Sequence, residues 1–323
     1  MLTVLFATRN RAKLLRDVLT AFTQLAPPPG GWALVIVDNG STDASQATIR
    51  AFAERLPLTL VTEPTGGKNA ALNAGLAHCA GDLIVFTDDD VFPRRDWLVR
   101  LRAGADAHPG IGIFAGRVLP RWETPPPEWI ERGIPLAPTY TVSDASLAAG
   151  PIEGNQVFGP NMAVRAEIFA TGARFDPSIG PASSSSYAMG SETEFVLRVM
   201  ETGVRACYVP DAVVEHFVRA SQLHPSWVIG RAMRFGRGQY RLHATLRSQA
   251  TTVWGFRHPP AAHPRCFGVP ISLIYQLCRK VAAVGVAALQ FDLNKIFAAL
   301  FSLGYVWGYA QEAQAHVTDA SRR

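Results

Sequence analysis

Four short apolar runs in the first ninety residues, each ending in a polar cluster, constrain this chain more than any other feature. "LTVLFA" (2–7), "ALVIVD" (33–38), "LTLVT" (58–62) and "DLIVFTD" (82–88) are rich in Val, Ile, Leu and Phe. They are close to continuously apolar, so a half-buried strand does not explain them. Strands of that kind are covered on both faces, which requires a mostly parallel sheet with helices on either side. The segments between them have three-to-four-residue apolar spacing. After the first run, Leu14, Leu15, Val18, Leu19 and Phe22 fall on one helix face. The predicted class is α/β, a Rossmann-like sheet.

In open sheets of this class, ligands bind outside the carboxyl ends of the strands. The polar residues found there are therefore the candidates. Thr8, Arg9 and Asn10 follow the first run, "VDNGSTD" closes the second, "TGGKNAALNAG" follows the third, and Asp88, Asp89 and Asp90 end the fourth. Three adjacent carboxylates repel one another, and a divalent cation with oxygen ligands would relieve them. If the strand stays extended, Asp88 and Asp90 point to one side and Asp89 to the other. The same residues also read as a solvated acidic turn, or as the cap of a helix beginning near Arg94. A third reading is phosphoryl transfer through an aspartyl-phosphate. Phe92 stands where that chemistry wants Thr or Val. Lys68 after Gly66 and Gly67 suggests a phosphate loop, but position 62 is not Gly and no Ser or Thr follows the lysine.

With 48% hydrophobic and 18% charged residues in 323, the chain is globular, and its net charge of +5 suits an anionic substrate or an anionic membrane surface. The arginines are dispersed, and no basic helix with interleaved aromatics occurs, which disfavours nucleic acid. Cys79, Cys207, Cys266 and Cys278 show no metal or redox spacing, so free thiols are expected. The N-terminus reads as a first strand and not as a signal peptide, so a cytoplasmic location is expected.

Beyond residue 119 the Pro-rich "LPRWETPPPEWIERGIPLAP" predicts an irregular insertion, in which Trp122 and Trp129 are sugar-stacking or packing residues. "PSIGPASSSSYAMG" predicts a mobile loop, with serines 183–186 as a lid. A helix follows from Gly190, then a strand pair, "RACYVP" and "AVVEHFV". Near the C-terminus, residues 269–291 are apolar but interrupted by Arg279 and Lys280, and "IFAALFSLGYVWGYA" is shorter than the roughly 20 residues that span a bilayer. Two readings stand for this region. One is a helical hairpin packed on the main domain or on a second subunit, a homodimer. The other is amphipathic helices in peripheral contact with the inner face of the cell membrane, with Tyr305 and Trp307 as anchors.

Taken in order, "ATRNR" (7–11), "VDNGSTD" (37–43), "GGKNAALNAG" (66–75), "TDDDVFPRRDWL" (87–98), "GPNMAVR" (159–165) and "GSETEFVLRVMETG" (190–203) resemble the signature of the family 2 glycosyltransferases, which have the GT-A fold. The resemblance spans roughly residues 2–220. It implies a GT-A domain over 1–220, with a donor half to about 118 and an acceptor half from about 119, and a helical extension over 221–323. It further implies a metal-dependent, inverting transfer of sugar from a nucleotide sugar to a glycan or lipid-linked acceptor, with Mg²⁺ or Mn²⁺ as cofactor. In that scheme Asp38, Thr8 and Arg9 form the nucleotide pocket, and Lys68 and Asn69 reach toward the phosphates. Asp88 and Asp90 hold the ribose and, as metal ligands, the diphosphate, with Asp89 a secondary nucleotide-binding residue and His216 a further metal ligand. Glu192 is the base, and Asn161, Met162, Trp122 and Glu194 meet the sugar or acceptor. Glu194 has a structural reading too, an ion pair with Arg198 one helical turn on. The chain departs from the family at Ala7, Arg9 and Lys68, and has Glu192 where Asp is more frequent.

Overall fold

The structure is a computed structural model that describes residues 1–181, 187–245, 265–266 and 269–320, the side chains of 265–266 and 317–320 excepted. The expected lid at 183–186 and the side chain of Cys266 lie outside the described residues. The chain divides into two compact units. The first comprises residues 1–121, 141–183 and 191–217, and the second comprises 122–140, 184–190 and 218–323.

In chain order the elements are β1 (Leu2–Thr8), α1 (Ala12–Phe22), β2 (Trp32–Asp38), α2 (Ser45–Arg50), β3 (Leu58–Thr62), α3 (Lys68–Leu76), β4 (Leu83–Phe86), β5 (Val91–Pro93), α4 (Trp97–Ala107), β6 (Ile113–Trp122), α5 (Glu128–Gly133) and α6 (Leu136–Tyr140). They continue with β7 (Gly150–Ile152), β8 (Met162–Arg165), α7 (Ala166–Ala170), α8 (Ser191–Met200), β9 (Ala206–Val218), α9 (Pro225–Thr245), the short β10 (Arg265–Cys266) and β11 (Val269–Pro270), α10 (Ile271–Leu289) and α11 (Leu293–Ala320).

The first unit is built on one sheet of order β3-β2-β1-β4-β8-β6-β9-β5, with β7 beside β9. The four runs read as strands from the sequence form its parallel half. From β8 onward the pairing turns antiparallel. Alternation along each strand sorts the core into two layers. Leu2, Val4 and Phe6 of β1 pack with Leu15, Val18, Leu19 and Phe22 of α1 and with Trp97 and Leu101 of α4. Leu5, Val35 and Val37 pack on the other face with Ala71 and Leu72 of α3 and Phe195 of α8. This double coverage explains why the strands carry no polar face. The expected strand pair "RACYVP" and "AVVEHFV" is a single strand, β9, which runs straight through Pro210.

The second unit is helical. Its α9 and α11 approach so closely that a Cβ on Gly236 would run into the Tyr305 carbonyl, and one on Gly308 into that of Met233. Tyr240, Leu273, Tyr305, Val306 and Tyr309 form its core. Tyr305 is therefore fully buried, which corrects its expected role as a lipid anchor, whereas Trp307 on the same helix is exposed. The Pro-rich insertion is not irregular. It folds into α5 and α6, and its aromatics pack: Trp129 stacks on Phe297 at 3.9 Å, and Trp122 meets Tyr140 edge-on at 5.2 Å. At Gly308 a side chain must push the two helices apart. Gly308→Val is expected to cost about 2–3 kcal/mol, read as a lowered urea midpoint for the helical unit. An unchanged midpoint would show that the close approach contributes little.

Candidate active site

Strands β1, β2 and β4 lie side by side in register, Thr8 opposite Asp38 and Leu5 opposite Phe86, so their carboxyl ends form one edge. Past Phe86 the Thr87 hydroxyl donates to the Pro160 carbonyl at 2.9 Å, and the chain turns before β5. The three aspartates sit in that turn. The extended alternation expected of them is absent, and α4 begins only at Trp97, so they do not cap it. Each faces a different partner. Asp88 accepts from Lys68 Nζ at 2.5 Å. Asp89 accepts from the Thr8 hydroxyl at 2.7 Å and lies 3.8 Å from Arg11 Nε. Asp90 lies 3.4 Å from His216 Nε2, because β5 pairs with β9 with Val91 opposite His216.

Lys68 opens α3, and the loop before it is fixed from β2. Gly67, with φ of +125°, adopts a backbone that only glycine takes readily, and its N–H donates to Asn39 Oδ1 at 2.9 Å. The Asn39 amide in turn donates to the Glu63 and Thr65 carbonyls. So held, Lys68 Nζ donates both to Asp88 Oδ1 and, at 2.6 Å, to Glu192 Oε1. Glu192 stands in the first turn of α8, where the helix dipole favours a carboxylate, and its Oε2 accepts from Ser191 Oγ at 2.6 Å. Gly159 leaves it room, since a Cβ there would sit 2.6 Å from Oε1.

Burial raises the Asp88 carboxyl, Lys68 opposes that, and Glu192 and Asp90 add to the rise. Burial and Asp90 push Asp89 up to about 7 against the pull of Arg11 and Thr8. For Glu192 burial acts upward too, but Lys68 and Ser191 bring it down to about 2. Burial acts to lower the Lys68 ammonium, yet its two carboxylate partners raise it. Negative charge thus exceeds what the side chains of the turn offset, and that surplus is what a cation would relieve. Among the described residues, no three His, Cys, Asp or Glu side chains gather to hold a metal on their own. The Asp90 carboxylate and the His216 imidazole fit a cation that takes its other ligands from phosphate and water. Asp88, expected as a metal ligand, is engaged by Lys68.

Asp38 is fully buried. Its Oδ2 accepts from Gln46 Nε2 at 2.7 Å, while its Oδ1 has no hydrogen-bond partner among the described residues. Arg9 is exposed beyond β1. Other expected site residues serve the fold. Asn69 donates to the Asp176 and Ile179 carbonyls. Asn161 accepts from Trp97 Nε1 and donates to the Arg117 and Ala212 carbonyls, and Met162 is fully buried beside it, so both are corrected from sugar contacts to core residues. Glu194 is buried against Arg198 at 2.6 Å, its structural reading. Trp122 belongs to the second unit. Arg11, Asn39, Gly159 and Ser191 were not singled out from sequence. All four lie inside quoted motifs, but nothing in their spacing signals the contacts they make.

The family model described as glycosyl transferase family 2 matches residues 3–169, just over half the chain. The chain belongs to that family. The match includes Asp38, Lys68 and the three aspartates and ends before Glu192 and His216. The chain is 28% identical over 242 residues to the pre-mycofactocin glycosyltransferase of Mycobacterium tuberculosis H37Rv, covering 72% of this chain and 46% of that protein. It thus spans about half the length of that relative. The succinoglycan biosynthesis protein ExoM of Rhizobium meliloti is 23% identical over 250 residues, 76% of each chain. Among solved structures, the mannosyltransferase PcManGT of Pyrobaculum calidifontis, in complex with GDP-Man and Mn²⁺, superposes with a TM-score of 0.62 at 21% identity, covering 97% of this chain and 86% of that one. The fold is GT-A, with a helical C-terminal region. Membership of a transferase family removes the aspartyl-phosphate reading.

The raised Asp89 carboxyl carries a stability signature. In metal-free buffer the folded state keeps this proton up to about pH 7, where the unfolded carboxyl has already lost it. Its contribution therefore falls as pH rises through the window between about 4 and 7. Asp89→Asn keeps an acceptor for Thr8 and is expected to raise Tm by about 2–4 °C at pH 8 but not at pH 4. An equal shift at both pH values would contradict the assignment.

Proposed function

We propose that the chain is a metal-dependent, inverting glycosyltransferase. It moves a sugar from a nucleoside-diphosphate sugar, a UDP-sugar in the first instance, to a hydroxyl of a glycan or lipid-linked acceptor in polysaccharide or cell-envelope synthesis. The observation that carries this reading is the Lys68 bridge, which ties Glu192, the proposed base, to Asp88 of the acidic turn. The unpartnered Asp38 Oδ1 is an acceptor suited to an N–H of the nucleotide base. Asp90 and His216 are the proposed cation ligands. A divalent cation bound there supplies Lewis-acid neutralisation of the diphosphate. The complex of PcManGT with GDP-Man and Mn²⁺ supports cation use in this fold, and the relative named for succinoglycan biosynthesis supports a role in polysaccharide synthesis.

With Lys68 in place Glu192 is ionised but weakly basic. An incoming diphosphate competes for the Lys68 ammonium, and as the bridge loosens Glu192 gains basicity. It then takes the proton of the acceptor hydroxyl. The acceptor oxygen forms a bond to the anomeric carbon while the bond to the diphosphate oxygen breaks, its electron pair leaving with the nucleotide. Attack opposite the leaving group inverts the centre in one step, and no residue of this chain becomes covalently attached.

Glu192→Gln keeps the shape and the Ser191 contact but cannot take a proton. It is expected to lower kcat for UDP release from a UDP-sugar and acceptor by about 10²–10⁴ with little change in donor KM. Asp90→Asn is expected to abolish Mn²⁺ stimulation. Full turnover by Glu192→Gln would remove it as the base, and Mn²⁺ stimulation intact in Asp90→Asn would remove the metal assignment.

A further inference from the structure

Apart from Met1, every exposed large hydrophobic residue among those described lies between Ile271 and Trp307, on α10, the turn after it and α11. On α10, Ile271, Ile274, Tyr275, Val281, Val286 and Leu289 recur at helical spacing, so they form one stripe about 27 Å long. Tyr275 is 63% and Leu289 81% exposed, and Phe291 in the following turn is 92% exposed. The opposite face of α10 is the packed one, through Leu273 and Ala287. An apolar stripe of this size that no described residue covers calls for a cover.

Charge indicates which cover. Arg279 is exposed beside the stripe with its guanidinium 5.8 Å from the Tyr275 ring. A groove of about 600 Å³ between α10 and α11 has apolar walls that include Val286, Ala287 and Ala298, and three cations line it, Arg279, Lys280 and Lys295, the last held by Asp292 at 3.5 Å and by Gln290. Apolar side chains next to clustered cations match the acyl and phosphate layers of an anionic bilayer. Length and composition would also allow α10 to cross a membrane. Arg279 and Lys280, however, are the ninth and tenth of its nineteen residues, which would put two charges at the bilayer centre, the most costly depth. Lying in the interface, the same side chains reach the headgroups. A second copy on this stripe, related by a two-fold axis, would bring two like-charged helices face to face.

We infer that α10 is a membrane-docking helix, which lies in the plane of an anionic lipid surface with its Ile271–Leu289 stripe in the acyl boundary and the groove cations on lipid phosphate. This rests on the helical unit alone and is independent of the sugar-transfer reading. The test is flotation of the full chain with phosphatidylcholine vesicles and with vesicles that also contain phosphatidylglycerol. Size-exclusion chromatography of the same samples follows the oligomeric state. The chain is expected to float with the anionic vesicles only. Ile274→Asp with Leu289→Asp, both at exposed positions, should weaken binding by at least about tenfold. Arg279→Glu should weaken it by a smaller factor, and high salt should release the wild type. No binding, equal binding to neutral vesicles, or binding unaffected by the double variant would overturn the inference. So would a dimer that the double variant dissociates in the absence of lipid.

Discussion

The Lys68 ammonium, shared between Asp88 and Glu192, is the interaction on which the rest of the candidate site depends. It joins the turn after β4 to the start of α8, two segments more than a hundred residues apart in sequence. Its side chain is only 18% exposed, so the pair of contacts is poorly screened by water. Removing the lysine would leave two buried carboxylates facing each other, a far more costly state than the ion triad. That cost is also the source of the proposed switch. A cation strong enough to hold Glu192 near a pKa of about 2 makes it a poor base until something more anionic draws the lysine away.

The parallel half of the sheet was legible because it is built from strands covered on both faces, and nothing but apolar residues fits there. The strand ends were legible for the complementary reason, since polar residues beside such strands must leave the core. What could not be read was the conformation past Phe86. The expected alternation of Asp88 and Asp90 assumed an extended chain, whereas a turn anchored by Thr87 on Pro160 aims the three carboxylates in three directions. Partners supplied by tertiary pairing were equally hidden. His216 meets Asp90 only because β9 pairs with β5, and Asn161 binds the Trp97 indole only because β8 lies between β4 and β6. Of the motif residues that looked like ligand contacts, Asn161 and Asn69 donate to backbone carbonyls around the site, and Met162 packs in the core.

The two units divide the chemistry. Titratable groups under mutual strain collect at the strand ends of the first unit, and the exposed large apolar side chains of the second, among the described residues, collect on α10, the turn after it and α11. The insertion with Trp122 and Trp129 belongs with the helices, and its aromatics are used for packing. Prolines had suggested an irregular insertion there. Pro127 instead precedes α5, where a missing N–H costs a helix nothing.

The central claim is that the surplus negative charge of the aspartate turn is completed by a nucleoside diphosphate and a divalent cation together. Calorimetric titration of UDP into the chain, with Mn²⁺ and with EDTA, tests it most directly. The account predicts binding that is at least about tenfold tighter with Mn²⁺ and that loses this difference in Asp90→Asn. Equal affinity with and without the cation would contradict it.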